Sequence, residues 1–288
     1  MMKALLVVLK TLRQTARYPS GAIGLALVTL ILLVAIFAPL LAPYDPNKLD
    51  VVNRLAGMSP EHWLGTDQLG RDLLSRQIFG TQVAVVVALS VIGIALAAGM
   101  TLGIVSAYVP GPVERVILIA FDSVSSFPSV ILAMAAVAVL GSSMPMLIVV
   151  IATSLVPHYG RVARAQVLSV KNEPYIEAEM VFGASQLRIL FFHIVPNILA
   201  PLVVIASLDI PIVIAIEASL SFLGLGLRPP LASWGGLLQD GYQNMSKTVV
   251  PVLIASGALA IATLAFTMFG EALRHAIDPR SQRGGRHG

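Results

Sequence analysis

Cysteine and charge are what this sequence has least of. None of its 288 residues is cysteine, which excludes disulfides, thiolate metal sites and thiol nucleophiles and leaves the redox compartment open. Charged residues make up only 12% of the chain, whereas a soluble globular protein carries roughly 25%. This composition does not suit a protein whose main solvent is water.

Motifs for the common energy-converting and hydrolytic sites are also missing. The chain has no G-x-x-x-x-G-K-[ST] phosphate loop, no H-E-x-x-H zinc pair and no G-x-S-x-G nucleophile turn, and its five histidines lack ligand spacing. We therefore predict a non-enzyme that binds no metal or cofactor and does not hydrolyse ATP unaided. The net charge of +4 is dispersed among apolar runs, which argues against nucleic-acid binding.

Long apolar runs are what the sequence has in abundance. Hydrophobic residues make up 57% of it and the mean hydropathy is +0.86, and several runs approach the roughly 20 residues that cross a bilayer core of about 30 Å. The first run is too long for the apolar part of a signal peptide. We predict an all-α membrane protein with six transmembrane helices at about 23–41, 83–108, 113–140, 146–163, 198–220 and 249–273.

The distribution of basic residues predicts how these spans are oriented. An even number of spans places both termini on one side, and 13 of the 19 Lys and Arg residues fall in the tails and loops on that side. The positive-inside rule then places both termini and segment 164–197 in the cytoplasm. The predicted parts are 1–82, with the tail, first span and extracytoplasmic loop; 83–275, the five-span core; and the tail 276–288.

Two further patterns predict how parts of the chain pack. Gly99 and Gly103, four residues apart in the second span, favour close packing against another helix. The sign-alternating loop residues 67, 71, 72 and 76 favour a solvated, internally paired surface, with docking of a binding protein as the functional alternative.

Segment 164–197 is long for a connection within a compact bundle. Its pattern predicts two short helices, the first capped by Asn172 and broken at Gly183, the second capped by Ser185 and ending at Pro196. The segment is interpreted as a docking element. An amphipathic connector lying among the lipid headgroups is the alternative.

Ionisable and hydroxyl residues inside the spans are candidates for a translocation path. Their members are Asp122, Ser125, Ser126, Ser129, Asp209 and Glu217. On one continuous helix the first four share a face, although bonding between helices, with Arg115 as a partner, explains them equally well. Asp209 is a candidate for binding a substrate ammonium group or a partner subunit. Snorkelling or capping of the next loop is the simpler interpretation of Glu217.

Residues within segment 164–197 resemble a known signature. Glu177 and Ala178, Gly183 six residues after the glutamate and Pro196 thirteen after the glycine are similar to the EAA signature of ABC-importer permeases. Glu179 departs from the signature's usual alanine, and His193 and Val195 depart from its usual isoleucine and leucine. The forms YIEAEMVFGAS and HIVPN resemble the variant in dipeptide, oligopeptide and nickel permeases.

Further blocks resemble the C-type subunit of the same group. They are APLLAPYDP at 38–46, HWLGTDQLGRDLLSR at 62–76, EASLSFLGLGLRPPLASWG at 217–235 and DPR at 278–280. The resemblance covers nearly the whole chain and implies a type I ABC-importer permease fold in a bacterial or archaeal cytoplasmic membrane.

The resemblance also implies partners and site residues. The expected partners are a B-type permease, two P-loop ATPase subunits that carry ATP and Mg, and an extracytoplasmic binding protein. The segment around Glu177 would be the coupling helix that contacts the ATPase. Its candidate residues are Tyr175, Glu177, Ala178, Gly183, Ala184 and Pro196.

The implied substrates are di- or oligopeptides, with nickel chelates, glutathione and oligosaccharides as alternatives. A proton-driven secondary transporter with Asp122, Asp209 and Glu217 as relay groups is the rival of another class, and the missing inverted repeat argues against it.

Overall fold

The computed structural model of the protein describes residues 15, 16 and 18–277. Predictions for the basic tails and for the block at 278–280 lie outside these residues. Within them the regular elements are helices, and an isolated antiparallel bridge joins Thr66 to Asp72. The predicted all-α class is confirmed.

The helices follow one another with short connections except between the second and third. They are α1 Pro19–Ile36, α2 Ala38–Leu41, α3 Leu73–Tyr108, α4 Pro112–Ser125, α5 Ser129–Leu140, α6 Met144–Lys171, α7 Pro174–Val181, α8 Gln186–Ile189, α9 Val195–Phe222, α10 Trp234–Gln243 and α11 Val250–Ile277. A π-helical turn, Leu190–Ile194, joins α8 to α9. The predicted division between residues 82 and 83 falls inside α3.

Five runs among the described residues are long and apolar enough to cross a membrane. They are α1, α3, α6, the run Gln186–Phe222 that ends with α9, and α11. Helices α4 and α5 meet the same criteria only as a pair, and they meet at an angle of 89°. Counting that pair as one broken span gives the six that were predicted.

The break between α4 and α5 corrects the predicted third span. Pro128 has no N–H to donate to Val124, and it disfavours helical backbone at Phe127. Helix α4 therefore ends at Ser125, and α5 begins at Ser129. The third span at about 113–140 is therefore a broken helix, and the expectation that its residues share one continuous helix was wrong.

Helix α3 packs along α6 more extensively than any other described pair of helices does. A Cβ atom on Gly99 would lie 2.6 Å from Cβ of Tyr159, and one on Gly103 would lie 2.8 Å from Cβ of Ala163. Such distances are shorter than ordinary contact, so only glycine fits at these crossings. The predicted close packing of the second span is confirmed, with α6 as its partner.

We expect Gly103→Ala to lower the free energy of unfolding by about 1–3 kcal/mol, since the new methyl group must displace backbone as well as side-chain atoms. A Cβ there also lies 3.1 Å from the backbone nitrogen of Arg164. Gly93→Ala is the matched control, because its Cβ would meet nothing within 4 Å. Thermal unfolding in detergent measures both, and equal midpoints would contradict the packing argument.

The chain order gives the bundle two distinct ends. Helix α6 leads into α7 and α8, and α9 runs back, so we name this the Glu177 end. The loop 42–72 and α10 lie together at the other end, where Gln68 donates a hydrogen bond to Asp240 at 3.2 Å. We name this the Asp67 end.

Candidate functional site

The Glu177 end carries an exposed short helix, α7. Its only buried residue is Ile176, whose side chain is fully covered and anchors the helix. Glu177 and Ala178 are exposed, and Tyr175 is 43% exposed. The residue that precedes the helix in extended conformation is Glu173, so the predicted cap at Asn172 was wrong.

A tight turn at Gly183 ends α7. The N–H of Gly183 donates to the carbonyl of Met180, and the N–H of Ala184 donates to that of Glu179, both at 3.0 Å. These are the two bonds of a Schellman motif, which requires a left-handed residue after the helix. Gly183 supplies it with a φ of +84°, and Ala184 packs partly buried against the core. The predicted break at Gly183 is confirmed.

The second predicted short helix differs from what the structure contains. Ser185 does cap it, accepting a bond from the N–H of Arg188 at 3.3 Å. However, the helix continues through the π-helical turn into α9 instead of ending at Pro196. Pro196 lies in the first turn of α9, where a missing N–H costs little.

Large apolar side chains beside the Gly183 turn and in the π-helical turn are exposed, because no other described part of the chain packs over them. Val181 is 85% exposed, Phe182 87% and Phe192 74%. A cluster of large apolar side chains at the end of a bundle is typical of a protein contact surface.

A polar region lies on an exposed face of α4 and α6. Arg161 on α6 donates from Nη2 to Oδ1 of Asp122 at 3.0 Å and to Oγ of Ser125 at 3.2 Å. Ser126 donates to the carbonyl of Asp122 at 2.7 Å. Ser129 starts α5 beyond the bend, so the predicted four-residue stripe on one helix was wrong.

Arg161 is a residue of this region that the sequence reasoning missed. Its only signal was its position at the end of the fourth apolar run, and Arg115 was considered as the partner of Asp122 instead. A second pair, Arg164 with Glu114, also joins α6 to α4. The side chains of Asp122 and Arg161 are 74% and 45% exposed, so this face of the bundle is polar and uncovered.

Asp209 lies near the middle of α9 and finds its partners on α6. Tyr159 donates its hydroxyl to Oδ2 of Asp209 at 2.8 Å, and Nε2 of His158 lies 3.6 Å from the same oxygen. Asp209 is largely buried, whereas the side chain of His158 is 49% exposed. This cluster therefore connects the bundle interior to the uncovered face.

Glu217 is buried, with 1% of its surface exposed. Its Oε1 accepts a bond from Ser221 at 2.7 Å, and Oγ of Ser221 accepts the N–H of Leu227 at 3.2 Å. Of the two interpretations given for Glu217, burial contradicts snorkelling, and the bonds through Ser221 agree with capping of the next loop. The carboxylate acts from inside the bundle, holding through Ser221 the start of the loop that follows α9.

The Asp67 end is built around a buried charge network. Asp67 accepts bonds from the N–H of Leu69 at 2.8 Å, from the N–H of Arg71 at 3.0 Å and from Nε of Arg71 at 2.6 Å. Nε of Arg76 lies 3.4 Å from the same carboxylate. Asp67, Arg71 and Arg76 are 2%, 5% and 3% exposed, so the predicted internal pairing is confirmed and the predicted solvation was wrong.

The network ties the loop to α3 and α10. Asp72 caps α3 by accepting the N–H of Ser75 at 2.7 Å, and it pairs with Nδ1 of His62 at 2.9 Å. Arg71 reaches Asp240 of α10 at 3.4 Å. Burial raises the pKa of the Asp240 carboxyl above its usual range, while the charges of Arg76 and Arg71 act in the opposite direction.

Comparison with known families gives two matches. Residues 99–283 match the family described as binding-protein-dependent transport system inner membrane component. Residues 10–57 match the N-terminal transmembrane domain of oligopeptide transport permease C. The first match contains the whole Glu177 end and both α4 and α6.

Curated relatives match over most of the chain. The dipeptide transport system permease protein DppC of Alkalihalophilus pseudofirmus is 38% identical over 93% of this chain and 88% of its own. The glutathione transport system permease protein GsiD of Pectobacterium atrosepticum is 37% identical over 88% of this chain and 84% of its own.

A solved structure supports the fold. The MetNI methionine ABC transporter in inward-facing conformation contains a chain that matches with a TM-score of 0.57 and 19% identity, covering 72% of this chain and 96% of that one. At this identity the likeness extends to the fold alone.

Proposed function

This chain belongs to the inner membrane components of binding-protein-dependent transport systems, and on that basis we propose that it is the C-type permease of an importer for di- or oligopeptides. The observation that carries the proposal is the match over residues 99–283, a range that contains the exposed short helix α7 at one end of a multi-pass bundle. The names of relatives such as the dipeptide permease support the substrate class.

Glutathione is the second candidate substrate. Relatives named for glutathione transport reach 37% to 39% identity, close to the dipeptide permease, and glutathione is itself a small peptide. Nickel chelates and oligosaccharides remain less favoured alternatives.

Transport by this chain requires partners. The sequence has no phosphate loop, so two ATPase subunits would bind ATP and Mg and hydrolyse the nucleotide. A B-type permease would complete the path, and an extracytoplasmic binding protein would deliver the substrate. The exposed face with Glu177, Val181 and Phe182 would contact an ATPase subunit, and the Glu177 end and both termini would then lie in the cytoplasm.

The uncovered polar face of α4 and α6 would line the path. Exposed charged side chains such as Asp122 and Arg161 are costly against lipid, so this face needs water or protein beside it. Ser125 and Ser126 belong to the same face, and Ser129 continues it beyond the bend. Asp209 would support the path from behind through His158, whereas Glu217 would serve the following loop without touching substrate.

Purification of the tagged chain in mild detergent, followed by mass spectrometry and liposome assays, tests the proposal. We expect a second permease, two ATPase subunits and uptake of dipeptides that requires ATP and the binding protein. Uptake of glutathione with exclusion of other peptides would favour the second candidate. A chain that purifies alone and transports with a proton gradient would support the secondary transporter instead.

Single cysteines test the path directly, because the chain has none of its own. We expect Ser126→Cys to react with a hydrophilic thiol reagent in the assembled complex, since a thiolate forms readily only in water. Leu30→Cys is the control, because Leu30 is 57% exposed on the apolar helix α1 and should face lipid. Labelling at residue 30 but not at residue 126 would contradict the assignment.

A further inference from the structure

Two departures from the EAA signature meet in the structure. Glu179 replaces the usual alanine on α7, and His193 replaces the usual isoleucine in the π-helical turn before α9. Oε1 of Glu179 lies 3.6 Å from Nε2 of His193. Their side chains are 37% and 28% exposed, so both are partly covered by the fold.

A second contact lies beside this pair. Tyr175 is one helical turn before Glu179, so both side chains project from neighbouring positions on α7. The ring of Tyr175 lies 6.2 Å from that of His193, and its hydroxyl accepts a bond from Nδ2 of Asn197 at 3.3 Å. The same amide donates to the carbonyl of His193 at 2.6 Å. Tyr175, Glu179, His193 and Asn197 form one cluster, which we call the α7 clamp.

The clamp bridges a weak point in the connection between α7 and α9. The covalent route from α7 to α9 passes through the left-handed turn at Gly183 and the four-residue helix α8. A Cβ on Gly183 would meet nothing within 4 Å, so no neighbouring atom braces the turn at that residue. Side-chain contacts that cross from α7 to the start of α9 shorten this route.

The two faces of α7 make different contacts. Glu177 and Val181 are one turn apart on the exposed side, while Tyr175 and Glu179 face the start of α9. A displacement imposed on the exposed side is therefore passed to α9 by the opposite contacts. Because α9 carries Asp209 beside the polar face, its displacement changes the face at which substrate would pass.

We propose that Glu179 and His193 are positioning residues of the importer, which join the coupling helix to α9 so that closure of the ATPase subunits moves α9 directly. The proposal rests on the function proposed above. In this chain two contacting side chains, Glu179 and His193, take the place of the alanine and isoleucine of the signature. We therefore expect the two residues to act together.

The number of substrate molecules imported per ATP hydrolysed tests the pair. We expect Glu179→Gln and His193→Gln each to lower this ratio roughly threefold, in line with one weak contact between partly exposed side chains, while the ATPase subunits stay bound. Glu179→His combined with His193→Glu should restore the ratio, because the exchanged pair restores the contact. Glu271→Gln is the matched control, since Glu271 is an exposed acid on α11 near the same end.

Other results would contradict either the pairwise role of Glu179 and His193 or the proposed function. Wild-type ratios in both single variants, or a Glu179→Gln/His193→Gln double variant whose loss equals the product of the single losses, would overturn the pairwise role. Loss of the ATPase subunits from either variant would place the residues in subunit binding and also overturn it. Uptake without ATP by the unmodified complex would contradict the proposed function itself, and the clamp with it.

Discussion

Asp67→Asn is expected to lower the free energy of unfolding by about 3–5 kcal/mol, the cost of removing one partner from a buried ion pair. The carboxylate of Asp67 is the acceptor closest to the guanidinium of Arg71, at 2.6 Å, and it also faces Arg76 at 3.4 Å. Both arginines are at most 5% exposed. An asparagine would leave Arg76 without its carboxylate partner and Arg71 with only the longer contact to Asp240 at 3.4 Å.

The loss should extend beyond the loop. Asp67 also accepts the backbone N–H groups of Leu69 and Arg71, so its charge organises the turn that leads into α3. We therefore expect protease cleavage within 42–72 at lower temperature than in the parent protein, together with a lower midpoint of thermal unfolding in detergent.

Two further Asp→Asn variants serve as comparisons for this loss of stability. Asp45→Asn makes the same chemical change at an exposed loop position, where the side chain accepts only the N–H of Asn47, and it should change stability little. Asp240→Asn removes the charge that faces Arg71 at 3.4 Å, while an amide oxygen can still accept the bond from Gln68, and its effect should fall between those of the other two variants. Equal stability of the Asp45 and Asp67 variants would show that the network is not a structural centre.

Gly183→Pro is expected to abolish transport. Proline fixes φ near −65° and has no N–H, whereas Gly183 has a φ of +84° and donates to Met180 at 3.0 Å. The turn after α7 cannot form, so the exposed face of α7 loses its orientation toward the proposed ATPase subunits. We expect ATP-dependent uptake to fall at least tenfold, with loss of the ATPase subunits during purification.

Gly141→Pro separates this effect from general damage to the fold. Gly141 also has positive φ, at +89°, and its N–H donates to Val137 at 2.9 Å. It lies between α5 and α6, away from the Glu177 end. We expect this variant to retain its ATPase subunits. Equal loss of subunits from both variants would contradict a specific role for the Gly183 turn.

Gly183→Ala should have an intermediate effect. Alanine adopts positive φ only at a cost of about 1 kcal/mol, and its methyl group would meet no atom within 4 Å. Uptake should therefore be reduced without being lost. We would also measure how much of the ATPase subunits each of the Gly183→Ala and Gly183→Pro variants retains during purification. The comparison shows how much of the coupling depends on the shape of this turn.

The elements that sequence reasoning predicted well are those whose cause is local. Membrane crossing depends on the composition of a run of about 20 residues, and the break at Gly183 and the cap at Ser185 depend on the preferences of one residue. The same local reasoning failed at Asn172, which follows the end of α6, while Glu173 is the residue that precedes α7.

The bend between α4 and α5 shows a second limit. Pro128 was visible in the sequence, but proline is compatible with a kink or a complete break in a membrane helix. Other helices continue through proline, because Pro157 lies inside α6, and Pro201 and Pro211 lie inside α9, without ending them. Pro128 is exposed, whereas Pro157 and Pro211 are buried among other helices, so the stripe ending in Ser129 was drawn on a helix that does not continue.

By itself, the sequence determined that this protein crosses the membrane several times, that it contains no phosphate-loop motif, and that a turn at Gly183 ends a short helix. The tertiary structure alone decided that Asp67 is buried, that Arg161 is the partner of Asp122, and that Glu179 meets His193. The physical reason is that composition and local backbone preference act over a few residues, whereas desolvation and ion pairing depend on which distant side chains the fold brings together.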